Sequence, residues 1–363
     1  MTILLTGGAG YIGSHACIEL LNQGCNVVVI DNLSNSCIAA LERVAVITNK
    51  SLSTNPLDAA EIIFYEADIC DQNVLHDIFI SHNIDAVMHF AGLKAVGDSV
   101  SQPLDYYSNN VLGSITLFQK MAEAEVKTIV FSSSATVYGR PKKMPITEDF
   151  ITGKTTNPYG QSKYIVEQIL KDIGKSDSSW KVCSLRYFNP VGAHPSGMIG
   201  EDPAGIPNNL LPYISQVATG RLDKLKIFGN NYPTLDGTGI RDYIHVVDLA
   251  KGHISALNYL ASLTSLSFGA FNLGTGEGKS VLEMIHEFEK ASGKLVPFEV
   301  VDERNGDVAE CWASTEHAQS VLGWKAHYGI SQMCKDAWRW QSQNPNGYEL
   351  TISTVENILQ KDA

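Results

Sequence analysis

Tyr159 and Lys163, four residues apart in Asn157-Pro158-Tyr159-Gly160-Gln161-Ser162-Lys163, form a pair with the chemistry to move a proton. The apolar spacing that follows (Ile165, Val166, Ile169, Leu170, Ile173) predicts a helix, on which the two side chains share a face one turn apart. Pro158 suits the first turn, where its missing N–H costs nothing. A free tyrosine titrates near pH ~10, and a cation held beside it favours the phenolate. Lowering that value by ~3 units takes ~4 kcal/mol, which requires more than one positive charge in a shielded site. By spacing alone such a pair is an ordinary solvated helix face. The elements around it decide its meaning.

The first of these elements reads strand, glycine turn, helix: Ile3-Leu4-Leu5-Thr6, then Gly7-Gly8-Ala9-Gly10-Tyr11-Ile12-Gly13, then apolar positions to Leu21 and a stop at Gly24. Val27-Val28-Val29-Ile30 follows as a buried strand ending in Asp31. Such a turn brings backbone close to a pyrophosphate at a helix N-terminus. A carboxylate at the second strand end accepts a ribose 2′-hydroxyl and repels a 2′-phosphate, so NAD is expected rather than NADP. Further strands are predicted at Ile62–Tyr65, Ala86–Phe90, Thr128–Phe131 and Lys181–Tyr187, and helices at Asp71–Ile80 and Ser99–Ala122. Strand–helix alternation with β-branched strands implies a doubly wound parallel α/β sheet of Rossmann type. Ligands bind such sheets at the carboxyl ends of strands, where Asp31, Asp68, Ala91-Gly92 and Ser134 stand.

From Pro190 to Pro207 the chain turns rich in Pro and Gly, and the expected boundary lies there: residues 1–188 for the dinucleotide domain, 189–363 for a smaller mixed α/β domain, with segments near 241–273 returning to the first. The polar stretch Asn49–Ala60 reads as a surface insertion, and no motif lies beyond Gln343. The 363 residues are 44% hydrophobic and 18% charged, as in a soluble globular protein. A net charge of −12 argues against a nucleic-acid partner. Seven cysteines without a Cys-x-x-Cys suggest packing residues of a reducing, cytoplasmic compartment. Met1 leads straight into the strand-like Ile3-Leu4-Leu5 without a basic segment, and no stretch approaches eighteen apolar residues, so neither export nor a membrane span is expected. His89, His194 and His245 lack metal-ligand spacing and read as structural, so no metal is expected.

Together, Thr6-Gly7-x-x-Gly10-x-x-Gly13, Ser132-Ser133-Ser134-Ala135-Thr136-Val137-Tyr138-Gly139 and Tyr159-x-x-x-Lys163 resemble the extended short-chain dehydrogenase/reductases. Four stretches narrow the resemblance to the UDP-glucose 4-epimerase family: those beginning at Phe90, Arg186, Gly205 and Asp236. The resemblance runs from residue 1 to about residue 343. It implies an isomerase of galactose metabolism that uses NAD to oxidise and re-reduce sugar C4, with the 4-keto sugar turning between the two steps. Tyr159 is then the acid/base, Ser134 its partner on the sugar oxygen, and Lys163 a ribose ligand that depresses the tyrosine. Gly7, Gly10, Tyr11, Ile12, Gly13, Asp31, Asn32, Asp68, Ile69, Phe90, Ala91, Gly92, Lys94, Asn109 and Tyr187 are implied at the cofactor. Lys94, Phe188, Asn189, Asn209, Leu210, Lys226, Ile227, Phe228, Arg241, Tyr243, Arg304, Asp307 and Cys311 are implied at a UDP-sugar. Arg241 and Arg304 suit a diphosphate through charge-assisted, often bidentate bonds. Cys311 stands where some bacterial members carry Tyr, which implies room for N-acetylated sugars. The resemblance also implies a homodimer built on the Ser99–Ala122 and Pro158 helices. A dehydratase of the same branch needs an acid/base pair where this chain has Ala135 and Thr136, and a silent regulator commonly lacks the Tyr or the Lys.

Overall fold

The computed structural model describes residues 1–203, 205–304 and 307–349. The first half alternates strand and helix as its sequence pattern dictates: β1 (Thr2–Thr6), α1 (Tyr11–Asn22), β2 (Asn26–Asp31), α2 (Ile38–Thr48), β3 (Leu52–Ser53), β4 (Ile62–Glu66), α3 (Gln72–Ser81), β5 (Ala86–His89), α4 (Val96–Ser101), α5 (Pro103–Tyr106), α6 (Gly113–Glu123), β6 (Thr128–Ser134), α7 (Pro158–Ser176) and β7 (Lys181–Tyr187). The second half adds β8 (Asn189–Val191), α8 (Leu210–Ala218), β9 (Leu225–Phe228), β10 (Ile240–His245), α9 (Val246–Ser262), β11 (Leu266–Leu273), β12 (Gly278–Ser280), α10 (Val281–Ser292), β13 (Phe298–Val301), β14 (Glu310–Cys311), α11 (Glu316–Leu322) and α12 (Ile330–Gln343). Among the described residues, no helix is long and apolar enough to cross a membrane.

Eight strands form one sheet in the order β11-β7-β6-β5-β1-β2-β4-β3, every pairing parallel. Side chains alternate between its faces as the pleat requires. Ile3, Leu5, Val27 and Val29 join one core with α1, α2 and α9, while Leu4, Val28 and Ile30 join another with α3, α6 and α7. Strand β1 lies between β2 and β5, so the crevice opens at its carboxyl end, where the chain crosses over in opposite directions. A separate core of α8, α10, α12 and β9 supports the smaller C-terminal part, with β12-β10-β14, β8 on β10, and β13-β9 as its sheets.

Two expectations are corrected. The 49–60 stretch is not wholly loop: β3 inside it pairs with β4 as the sheet's edge. The expected continuous Ser99–Ala122 helix is broken at Gln102, because Pro103 has no N–H to bond back, and it widens to a π-turn over Tyr107–Leu112. On α7 Val166, Glu167, Leu170 and Gly174 are fully buried, and Ile169 and Ile173 pack half-buried against the same core. The chain's loop at Arg304–Asp307 is described at its two ends only.

Candidate active site

Helix α7 starts where Asn157 accepts the Gly160 N–H at 2.8 Å, and Pro158 fills its first position. That start brings Tyr159 and Lys163 beside the end of β6. Lys163 is 4% exposed, and its Nζ donates to the Ser132 carbonyl at 2.8 Å. Burial pulls its pKa down to about 8. Burial raises the Tyr159 phenol above its ordinary value, and a hydrogen bond with Ser134 opposes that. Without a cofactor the Lys163 ammonium is turned to the Ser132 backbone carbonyl, and burial governs the Tyr159 phenol. Ser134 accepts from the Thr136 N–H at 3.2 Å and hydroxyl at 2.9 Å, which leaves its own hydroxyl proton to donate towards the Tyr159 oxygen.

A cleft of about 730 Å³ runs along the carboxyl ends of the strands. Gly7, Gly10, Tyr11, Ile12, Gly13, Asp31, Asn32, Ile69, Phe90, Ala91, Gly92, Lys94, Asn109 and Asn209 all line it. The residues fit a dinucleotide. Gly7 has φ +69°, and a Cβ there would meet the Ala91 nitrogen at 2.7 Å; a Cβ on Gly13 would meet the Gly7 carbonyl oxygen at 2.4 Å. The turn is thus closed to any side chain and open to a ligand. Asn109 Oδ1 is buried without a partner in the cleft wall, as a group awaiting a ligand donor would be. Asp31 accepts from the Ala9 N–H, the Leu33 N–H and Ser36 Oγ at 2.7–3.0 Å, so it braces the glycine turn and retains one lone pair for a ribose hydroxyl. Asp68 does not line the cleft; it is held by Asn32 Nδ2 at 2.8 Å and the Cys70 N–H at 2.8 Å. Ser134, Tyr159, Lys163 and Tyr187 stand behind the cleft's inner wall, close to Ser132 and Gly92: a Cβ on Gly92 would lie 3.5 Å from Lys163 Nζ. Tyr187 is buried, its hydroxyl bonded to His253.

The C-terminal part collects a second group. Parallel pairing of β10 with β14 sets Arg241 directly opposite Cys311. Arg241 Nη2 lies 3.6 Å from Asp307 Oδ1, and the Arg304 guanidinium lies 3.7 Å over the Phe228 ring. Ile227 is buried and Lys226 exposed on the same strand, β9. Asn189 pairs with Tyr243 between β8 and β10, and Phe188 packs in a small core with Val137, Ile146 and Ala313, against which Cys311 rests. Burial pushes the Cys311 thiol up to about 11, so it is a neutral apolar group at pH 7. Asn209 occupies the N-cap position of α8 without capping it, and Leu210 begins that helix half-buried.

Several residues that sequence reasoning passed over prove central. Glu167, fully buried on α7, accepts from Ser133, Ser184 and both Nε and Nη2 of Arg186 at 2.6–3.0 Å. This network ties the Tyr159 helix to β6 and β7. Burial works to raise the Glu167 carboxyl, yet the Arg186 bonds prevail and hold it below the usual range. Asn110, next to Asn109 on the π-turn, bonds both Leu93 N–H and C=O and Ser162 Oγ, fixing the post-β5 loop to α7. Glu201 accepts from Lys94 at 2.9 Å and Asn209 at 2.8 Å, joining the two halves across the cleft. Tyr232, whose buried hydroxyl has no partner, sits in the field of Arg241, Arg304 and Asp307. None of these has a one-dimensional signature; only a buried charge in an apolar helix stripe hints at Glu167. Among the described residues no three His, Cys, Asp or Glu side chains are grouped to hold a metal. His89 is satisfied by Thr6 and Ser114, and His245 by Asp336 and the Val247 N–H. The seven cysteines are unpaired; Cys70 is exposed and Cys37 lines the cleft.

Residues 3–274 match the model of the NAD dependent epimerase/dehydratase family. A UDP-glucose 4-epimerase of Bacillus subtilis is 58% identical over 349 residues, which cover 96% of this chain and 99% of that protein. One from Drosophila melanogaster is 55% identical over 96% of this chain and 98% of its own. The crystal structure of UDP-glucose 4-epimerase from Bifidobacterium longum in complex with NAD+ and UDP superposes with a TM-score of 0.90 at 50% identity, covering 96% of this chain and all of that one. The chain belongs to the NAD-dependent epimerase/dehydratase family, in the branch of the UDP-glucose 4-epimerases.

Proposed function

We propose that the protein interconverts UDP-glucose and UDP-galactose by inverting sugar C4. The observation that carries this reading is the gathering of Ser134, Tyr159 and Lys163 behind one wall of a glycine-lined cleft, with an Arg241–Arg304 group on the C-terminal part. The chemistry that bound NAD supplies is uptake and return of a hydride at C4, together with a positive charge on its oxidised ring. Tyr159 accepts the proton of the 4-hydroxyl as C4 becomes a ketone and gives it back when C4 is reduced on its other face. Ser134 donates to that same oxygen. Lys163 would hold the cofactor's ribose hydroxyls and add a second positive charge, which would make the phenolate accessible against its burial. Arg241 and Arg304 grip the diphosphate, and Lys226, Ile227 and Phe228 line the uridine. A firmly held nucleotide lets the 4-keto sugar turn without escaping. Ala135 and Thr136 offer no acid/base pair for dehydration; Thr136 is spent on Ser134. Incubating UDP-galactose with the purified protein, without added NAD, tests the reading: UDP-glucose is expected, and no conversion even with NAD supplied would reject it.

The half-buried Cys311 leaves more room at the sugar than Tyr would, so the protein is proposed to interconvert UDP-N-acetylglucosamine and UDP-N-acetylgalactosamine as well. Cys311→Tyr is expected to lower that activity by about 100-fold or more, a steric clash costing several kcal/mol, while sparing the glucose pair. Equal loss of both activities would sink the idea.

The protein is further proposed to be a homodimer. Val100, Leu104 and Leu112 are 64%, 77% and 54% exposed on helical segments that pack against α7, apolar surface that a second copy would cover. Light scattering at working concentration should return twice the chain mass; a monomer refutes it.

A further inference from the structure

The segment 344–348 closes the cleft from the C-terminal side, and nothing in the proton chemistry uses it. Asn346 and Tyr348 line the same cleft as Gly10, Ser36 and Cys37. The segment is held from the opposite half of the molecule by Arg43 of α2, which is 4% exposed although it lies far in sequence from every residue it bonds. Arg43 Nη1 donates to Met198 C=O and to Asn344 Oδ1, both at 2.8 Å. Its guanidinium lies 4.9 Å from the Tyr348 ring centroid and 5.5 Å from that of Trp340. Asn344 in turn donates to the Gly197 carbonyl at 2.9 Å, and the Tyr348 hydroxyl donates to the Gly200 carbonyl at 3.2 Å. The Tyr348 N–H reaches Asp202 Oδ2 at 2.9 Å.

We infer that residues 344–348, pinned by Arg43, form a strap over the phosphate and adenosine end of the NAD cleft, and that Arg43 is the positioning residue that sets how slowly NAD leaves. The arrangement has the parts such a strap requires. One arginine from the dinucleotide half satisfies carbonyl and amide oxygens of the C-terminal half, and two aromatic faces cover its charge. Tyr348 carries the clasp to the cleft wall. Opening the strap breaks buried, charge-assisted hydrogen bonds together, so its free energy adds to the barrier for cofactor release. Closed, it touches no group that moves a proton. The inference rests on NAD occupying this cleft.

The test uses the full-length holoprotein. Bound nucleotide is quantified after gel filtration, and its release is then followed under dilution, with an NAD-consuming dehydrogenase as trap. Arg43→Ala is expected to release NAD faster by about tenfold or more. Activity without added NAD should decay in step with that release and be restored by excess NAD to within about twofold of the wild type. Tyr348→Phe, which keeps the ring and loses the Gly200 bond, should give a smaller acceleration, and it serves alone if Arg43→Ala does not fold. Phe288→Leu, in the α10 core away from the strap, is the control: it lowers the melting temperature and should leave release unchanged. Release at the wild-type rate in both strap variants overturns the inference, and so does equally fast release in Phe288→Leu, because release would then follow global stability. Wild-type protein that binds no NAD at all would overturn the cofactor reading, and the strap with it.

Discussion

Tyr159→Phe is expected to lower kcat for UDP-galactose by about 10²–10⁴-fold, the range for removal of a positioned acid/base, while NAD content and KM change little. The reason is local. The phenol is the group that Ser134 hydrogen-bonds, and no other titratable side chain is described in hydrogen-bond contact with Ser134 Oγ. Phe keeps the ring and its packing, so the fold of α7 is not at stake. Burial holds the phenol above its ordinary value; in the proposed mechanism the cofactor's charge and Lys163 would offset that desolvation cost. A Tyr159→Phe protein with activity within tenfold of the wild type would remove Tyr159 from the mechanism. So would a loss that tracks reduced NAD content instead of kcat.

The second large effect concerns stability. Glu167→Ala is expected to cost about 3–5 kcal/mol, because it strands the fully buried Arg186 guanidinium without its carboxylate. Urea unfolding of the holoprotein measures it. Arg186→Met in the Glu167→Ala background should recover part of the loss, since the unpaired charge goes with it; a double variant as unstable as the sum of the two singles would show that the pair is not coupled. The pH dependence has a definite sign. The folded-state pKa of Glu167 is lowered, so its contribution is present above the ordinary carboxylate pKa and is lost as pH falls through the lowered value. The gap between wild type and Glu167→Gln should therefore be widest near neutrality and narrow in acid. Because Glu167 also takes the Ser133 hydroxyl, one residue before Ser134, some loss of kcat should accompany the loss of stability.

Much of the dinucleotide half was legible because its signals are local. Glycines whose missing Cβ admits Ala91, β-branched runs and an Asn157–Pro158 helix start depend on neighbours a few residues away. Strand ends follow from that pattern, and ligand sites follow from strand ends. Where the reading failed, a non-local or purely conformational term had won. The π-turn at Tyr107–Leu112 has no composition of its own, and Pro103 broke a helix that periodicity would have continued.

The sequence by itself therefore determined the fold class, the family, and the residue types at Ser134, Tyr159 and Lys163, since each is written in short-range spacing. Only the tertiary structure decided what acts on them. It turned the Lys163 ammonium to the Ser132 carbonyl, placed Glu167 and Arg186 as a buried brace under the helix, set Arg241 opposite Cys311, and brought Arg43 to Asn344 and Tyr348. The physical reason is desolvation. The energy of a charge depends on which groups the fold packs around it, and those groups come from segments tens to hundreds of residues apart. The Tyr159–Lys163 pair is chemically capable by sequence, and its proton affinity is set by the folded site.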